Sequence, residues 1–208
     1  MVFLSTRFRT HAPTTNRGIR GGLSTASRFS QAAYEHQSER PEMIDGFQLD
    51  RELSNKRNTV YHNPSDGRVI VAFRGTQFSD PKDLFEDARI AFGTFSGSSR
   101  VKKGKHIVKS AAEKYGTDVE NVELTGHSLG GRIAQAVGSR LGNKRITAIN
   151  PGSSPADLLL PTAGSGVGKT YTTGTDPISL SNTLRNPGNV RFRPQQSLEP
   201  HGLANFLQ

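Results

Sequence analysis

A serine hydroxyl is a poor nucleophile until an imidazole takes its proton, and the imidazole needs a carboxylate to fix its tautomer. The chain carries a serine in a setting suited to that chemistry, Gly126-His127-Ser128-Leu129-Gly130, a G-x-S-x-G sequence. Residues 119–125 before it alternate apolar and polar side chains, as a half-buried strand does. After it, Leu129, Ile133, Val137 and Leu141 fall four residues apart and mark one face of a helix. Strand, serine and helix in that order predict a nucleophile elbow. The flanking glycines, lacking Cβ, are expected to let the backbone take the strained turn that exposes the hydroxyl.

The partners of Ser128 are sought downstream, because sheets of the α/β-hydrolase type place serine, acid and base in that chain order. One histidine follows Ser128, and it is His201, the candidate base. The carboxylates after Ser128 are Asp157, Asp176 and Glu199. Asp176 follows a strand expected over 167–173 and precedes Pro177, which puts it at the C-terminal edge of a parallel sheet, where ligands bind. It is the first choice for the acid. Asp157, in a Pro/Gly-rich loop, is the second, and Glu199 is too close in sequence to His201 to orient it well. A developing oxyanion needs two preorganised N–H donors. One is expected from the backbone of Leu129, and the other from a loop after an earlier central strand, such as Arg74-Gly75-Thr76 after residues 69–73. No metal or cofactor enters this chemistry.

The elements that must position these groups alternate along the chain. Helices are expected over 24–37 and 43–53, and strands over 59–62 and 68–73 around an Asn-Pro-Ser-Asp-Gly turn. Further helices are expected over 82–92 and 100–115, and further strands over 145–150, 167–173 and 189–193. The fold class is therefore α/β of the α/β-hydrolase type, a mainly parallel central sheet with helices on both faces, over residues 26–208. Residues 1–25 are rich in Ser, Thr, Gly and Arg without periodicity and read as a flexible basic arm; a mitochondrial transit peptide has the same composition.

Composition narrows the partners. Among 208 residues, 27 Lys and Arg stand against 18 Asp and Glu, a formal charge of +9. Residues 1–34 hold five arginines and no acid, and Arg100, Lys102, Lys103, Lys105 and Lys109 form a second cluster. Such surfaces favour anionic partners, a phospholipid membrane first. Nucleic acid is the lesser expectation, since few aromatic residues interleave the charges for base stacking. The absence of cysteine excludes disulfides and thiolate catalysis. Neither a secretory h-region nor a membrane-spanning run is expected. Residues 163–170 fit a relaxed phosphate-loop pattern, but the β-branched, Gly-broken stretch after Thr170 cannot start the helix such a loop requires.

Four motifs in order resemble one family, the class 3 or fungal-lipase-like group of α/β-hydrolases. Phe73-Arg74-Gly75-Thr76 is similar to its F-R-G-[ST] motif, and Gly126 to Gly131 to its G-H-S-L-G-[GA] elbow. Gly174-Thr175-Asp176-Pro177 resembles its acid loop, and His201 to Phe206 a compact base motif of virus-encoded members. The resemblance covers about residues 45–207. It implies Ser128 as nucleophile, Asp176 as acid, His201 as base and Thr76 as an oxyanion residue beside Leu129. It also implies hydrolysis of lipid esters. The compartment stays open in the sequence, with a virion and the cytoplasm both compatible with it. The segment after F-R-G-[ST] is short and lacks the family's Asp-Trp pair, for which Asp83 is the stand-in. A catalytically silent protein that uses the fold to bind nucleic acid, a virion or a membrane surface is the alternative.

Overall fold

The computed structural model describes residues 18–76, 99–152, 167–174, 176, 190–197 and 201–207. Within them the chain forms one eight-stranded sheet whose strands lie side by side in sequence order. These are β1 (Met43–Ile44), β2 (Phe47–Leu49), β3 (Asn58–His62), β4 (Val69–Phe73), β5 (Glu123–His127), β6 (Ile146–Ile149), β7 (Lys169–Thr173) and β8 (Val190–Arg193). β1 to β4 pair antiparallel, and β4 to β8 pair parallel. The helices are α1 (Gly22–Ala32), α2 (Ser99–Lys114) and α3 (Leu129–Leu141), with a short 3-10 turn at Leu203–Phe206.

β4 shows how the sheet divides the core. Strand side chains point alternately to the two faces. Val69, Val71 and Phe73 pack with Val101, Val108, Ile133 and Val137 of α2 and α3, while Ile70 and Ala72 pack with Phe29 and Ala32 of α1. Phe29 meets Phe47 and Tyr61 edge-on at centroid distances of 5.2 and 5.0 Å. Helices thus cover both faces, as expected of a central sheet whose strands are continuously apolar. β5 is buried along its whole length. This corrects the half-buried strand expected over 119–125: residues 119–121 form a turn, and the strand runs from Glu123 into the elbow.

The helix expected over 43–53 is a hairpin instead. Met43, Ile44, Phe47 and Leu49 have helix-like spacing, but Asp45 and Gly46 both adopt positive φ, 50° and 82°, and close a two-residue turn between β1 and β2. Asp-Gly is the preferred pair for that geometry, and its local demand outweighs the periodicity. The turn between β3 and β4 is as expected. Asn63 Oδ1 accepts from the Ser65 amide, and Gly67 takes φ 69°.

Residues 18–25, placed in the arm by composition, are packed. The Ile19 amide donates to Thr147 Oγ1 at 3.1 Å, and Ile19 and Leu23 lie against Ile149 and Phe206. α2 buries Val101, Gly104, Val108 and Ala112 and turns Lys102, Lys103 and Lys109 to solvent. No helix among the described residues is long and apolar enough to cross a membrane. The expected helix over 82–92 with Asp83, the alternative acids Asp157 and Glu199, and residues 1–17 lie outside the described residues.

Candidate active site

The parallel strands β4, β5, β6 and β7 all end on one edge of the sheet, at Phe73, His127, Ile149 and Thr173. β5 passes into α3 through Ser128, whose φ of 56° and ψ of −128° belong to territory that glycine normally occupies. Holding a side-chain-bearing residue there costs about 1–3 kcal/mol. Three backbone bonds hold it. The Ser128 amide donates to Ile149 O at 3.0 Å, and the Ser128 carbonyl accepts from the amides of Arg132 and Gly152, each at 3.2 Å.

Neither Gly126 nor Gly130 is among the residues with positive φ, so the strain sits on Ser128 itself. The glycines serve close approach instead. A Cβ on Gly126 would collide with the Gly130 carbonyl, and one on Gly130 would collide with the Phe73 carbonyl oxygen and lie 3.0 Å from the Arg74 carbonyl carbon. They let the first turn of α3 sit directly on the ends of β4 and β5.

The candidate acid and base are in contact. His201 Nδ1 lies 2.8 Å from Asp176 Oδ2, and both side chains are almost fully buried. Asp176 follows β7 and is turned inward by its amide, which donates to Thr173 O at 3.1 Å. With Nδ1 donating to the carboxylate, Nε2 is the basic atom of His201. That Nε2 and Ser128 Oγ are both buried, and neither has a hydrogen-bond partner among the described residues. The carboxylate–imidazole half of the constellation is therefore formed, while the imidazole–hydroxyl bond is not. In enzymes without substrate such bonds are commonly long and tighten in the Michaelis complex.

The pairing of β4 with β5 sets Phe73 beside Gly126. Thr76 and Leu129 each lie three residues beyond that pair, so the two candidate oxyanion segments leave the sheet side by side. Leu129 opens α3, and the first amides of a helix have no partner within it. Thr76 is half-buried.

Three residues of the site escaped the reading of the sequence. His127 Nε2 lies 2.7 Å from the backbone oxygen of His201, and its Nδ1 lies 3.0 Å from the Tyr34 hydroxyl. Asn150 Nδ2 donates to the same His201 oxygen at 3.1 Å. A carbonyl only accepts, so Nε2 carries the His127 proton and Tyr34 donates to Nδ1. Burial, reinforced by His201, pushes His127 down to about 3, so it stays neutral in ordinary buffers. It cannot be the general base, since both ring nitrogens are engaged. The position between Gly126 and Ser128 was visible in the sequence; its two partners, 93 and 74 residues away, were not.

Cations gather at the same edge. Arg57, Arg100 and Lys103 line a cleft with Asn55, Asn58 and Phe73. Burial, then the neighbouring Arg57 and Arg74 charges, lower Arg100 to about 10, and its guanidinium donates to Arg74 O at 2.5 Å. The phosphate-loop-like stretch leads into a strand, since Lys169 and Thr170 open β7. Among the described residues no group of three His, Asp or Glu could hold a metal ion.

No family profile matches the chain, and no curated protein matches it in sequence. Solved structures do. A triacylglycerol lipase from Penicillium expansum superposes with a TM-score of 0.51 at 18% identity, over 86% of this chain and 80% of that one. A fungal lipase–inhibitor complex, the basis of a model for interfacial activation in lipases, gives 0.49 at 14% identity, over 76% and 72%. The first likeness shows that the chain has the α/β-hydrolase fold of that lipase.

Proposed function

We propose that the protein is a serine hydrolase of lipid carboxylic esters, of lipase or phospholipase A type. The observation that carries this reading is the buried Asp176–His201 hydrogen bond at the sheet edge where the strained Ser128 turn also lies. Ser128 Oγ attacks the ester carbonyl carbon as His201 Nε2 takes its proton, and the Asp176 carboxylate stabilises the resulting imidazolium. The backbone amides of Leu129 and Thr76 receive the oxyanion. Collapse of the tetrahedral intermediate breaks the C–O bond, and His201 returns the proton to the departing alcohol. Water, deprotonated by the same imidazole, then releases the acid and restores Ser128.

The substrate surface is proposed to be anionic. The Lys102, Lys103 and Lys109 side chains project from α2, and Arg57 and Arg100 line the cleft beside Phe73, so headgroup phosphates would meet positive charge near the reacting ester. The test is labelling with a fluorophosphonate probe, followed by an ester panel of graded chain length. Wild type should label once, and Ser128→Ala should neither label nor hydrolyse. Labelling that survives Ser128→Ala refutes the assignment of the nucleophile. A wild type inert to the probe and to every ester favours the binding-protein alternative.

A further inference from the structure

Three chain segments must hold register for the proposed chemistry: the loop at residues 74–76, the elbow, and the segment bearing His201. The first two interlock around one side chain. Tyr34, just beyond α1, reaches the elbow through its hydroxyl, 3.0 Å from His127 Nδ1. A Cβ on Gly75 would collide with that hydroxyl and come within 2.7 Å of the His127 carbonyl oxygen. Gly75, Tyr34 and His127 therefore fit together with no room to spare.

The third segment is fastened from the other side of the same imidazole. The His201 side chain is tied to the β7 end by Asp176, while its backbone oxygen receives both His127 Nε2 and Asn150 Nδ2. Asn150 is itself fixed at the end of β6, its Oδ1 accepting from the Thr173 amide at 3.1 Å. Both acceptor positions of one carbonyl are thus filled by side chains rooted in the sheet. All of these groups are buried, where a hydrogen bond is stronger than in water and a missing one is costly. The His127 and His201 rings lie 5.1 Å apart. The clamped carbonyl and the imidazole belong to one residue, so a shift of the first carries the second.

We propose that His127 is a positioning residue for the base: with Tyr34 behind it and Asn150 beside it, it clamps the His201 backbone carbonyl and so sets where His201 Nε2 points relative to Ser128. This inference rests on the hydrolase reading above. His127 touches no reacting atom and transfers no proton. Its part is to hold the base within the small tolerance that proton transfer allows, where about 1 Å of displacement can lower the rate by about 10²-fold.

A structural role alone would reduce the amount of competent enzyme without changing the turnover of each competent molecule. The experiment therefore counts active sites with a fluorophosphonate and expresses kcat for a soluble short-chain ester per titrated serine. His127→Leu, which keeps bulk and removes both hydrogen bonds, should lower kcat on the order of 10²-fold with KM unchanged. His127→Gln, which offers an N–H at similar reach, should recover most of the loss. Tyr34→Phe should lower kcat less, and should add nothing in the His127→Leu background because both act through one carbonyl. Wild-type kcat per titrated serine in His127→Leu overturns the proposal, as does equal loss in the Leu and Gln variants. If His127→Leu does not fold, Tyr34→Phe and His127→Gln decide, and wild-type kcat in Tyr34→Phe then refutes the clamp. An active wild type with indifferent variants removes this inference alone. A wild type that neither labels nor turns over removes the hydrolase reading with it.

Discussion

Ser128 should lower the stability of the protein it serves, and the effect can be measured by replacing it twice. Its φ of 56° and ψ of −128° place a Cβ-bearing residue where glycine is at ease, and its Oγ is buried without a partner among the described residues. Ser128→Ala removes the hydroxyl and keeps the strained backbone. Ser128→Gly removes both. Relieving the strain is worth about 1–3 kcal/mol, and the extra freedom of glycine in the unfolded chain takes back roughly 0.5–1 kcal/mol. The glycine variant should therefore be the more stable of the two by roughly 1 kcal/mol. In a chain of this size that is roughly 2–4 °C in Tm. Both variants should also melt above wild type, because an unsatisfied buried hydroxyl is itself destabilising by about 1–3 kcal/mol. Ordinarily the ranking runs the other way, with alanine above glycine. The assay is thermal unfolding of the three proteins under identical conditions, with ester turnover measured alongside to show that both variants are inactive. An alanine variant as stable as the glycine variant, or more so, would mean that the elbow stores no backbone strain, and the reasoning would fail.

Further outcomes follow from the same geometry. Asp176→Asn leaves the shape of the 2.8 Å contact and removes the charge that fixes the His201 tautomer, so kcat should fall by about 10⁴-fold, and a loss under tenfold would reject Asp176 as the acid. Burial holds His127 at about 3 in the folded protein, below its unfolded value of about 6.5. The unfolded chain therefore binds the extra proton, and the stability this contributes is present above about pH 6.5 and lost as pH falls toward 3. Denaturant titrations of wild type and His127→Gln across that window should show the variant losing less, and parallel curves would contradict the depressed value. On vesicles, ester turnover should rise with anionic phospholipid and the gain should shrink with salt, since surface charges are screened over about 8 Å at physiological ionic strength. Charge reversal at Lys102, Lys103 and Lys109 should reduce that gain, and indifference to vesicle charge would detach the basic face from the substrate surface.

The sequence by itself carried the elements whose signals are local. The four-residue spacing from Leu129 to Leu141 names α3 to the residue, and the Asn63–Gly67 turn follows from the backbone preferences of its own members. Asp176 and His201 could be nominated as partners for Ser128 because one histidine follows the serine and one aspartate ends at a strand–proline boundary, and the structure places those two side chains in contact. Where two local signals competed, periodicity misled: residues 43–53 have helical spacing, yet the Asp45-Gly46 pair folds them into a hairpin. Composition misled at residues 18–25, because polarity and arginine content do not reveal that Ile19 has a pocket beside Ile149.

What the tertiary structure alone decided are relations between distant parts of the chain. The elbow glycines look like hinges for a strained turn, but both serve close approach: Gly126 lies against the Gly130 carbonyl and Gly130 against Phe73 and Arg74 across the β4–β5 pairing, while Ser128 takes the strain. His127 belongs to the elbow motif, but the sequence assigns it no partner. Its partners, Tyr34 and the His201 carbonyl, come from α1's end and from the C-terminal turn. Nothing in a linear pattern encodes such a bond, because a hydrogen bond depends on position within a few tenths of an ångström and spacing along a chain specifies only which face of an element a residue occupies.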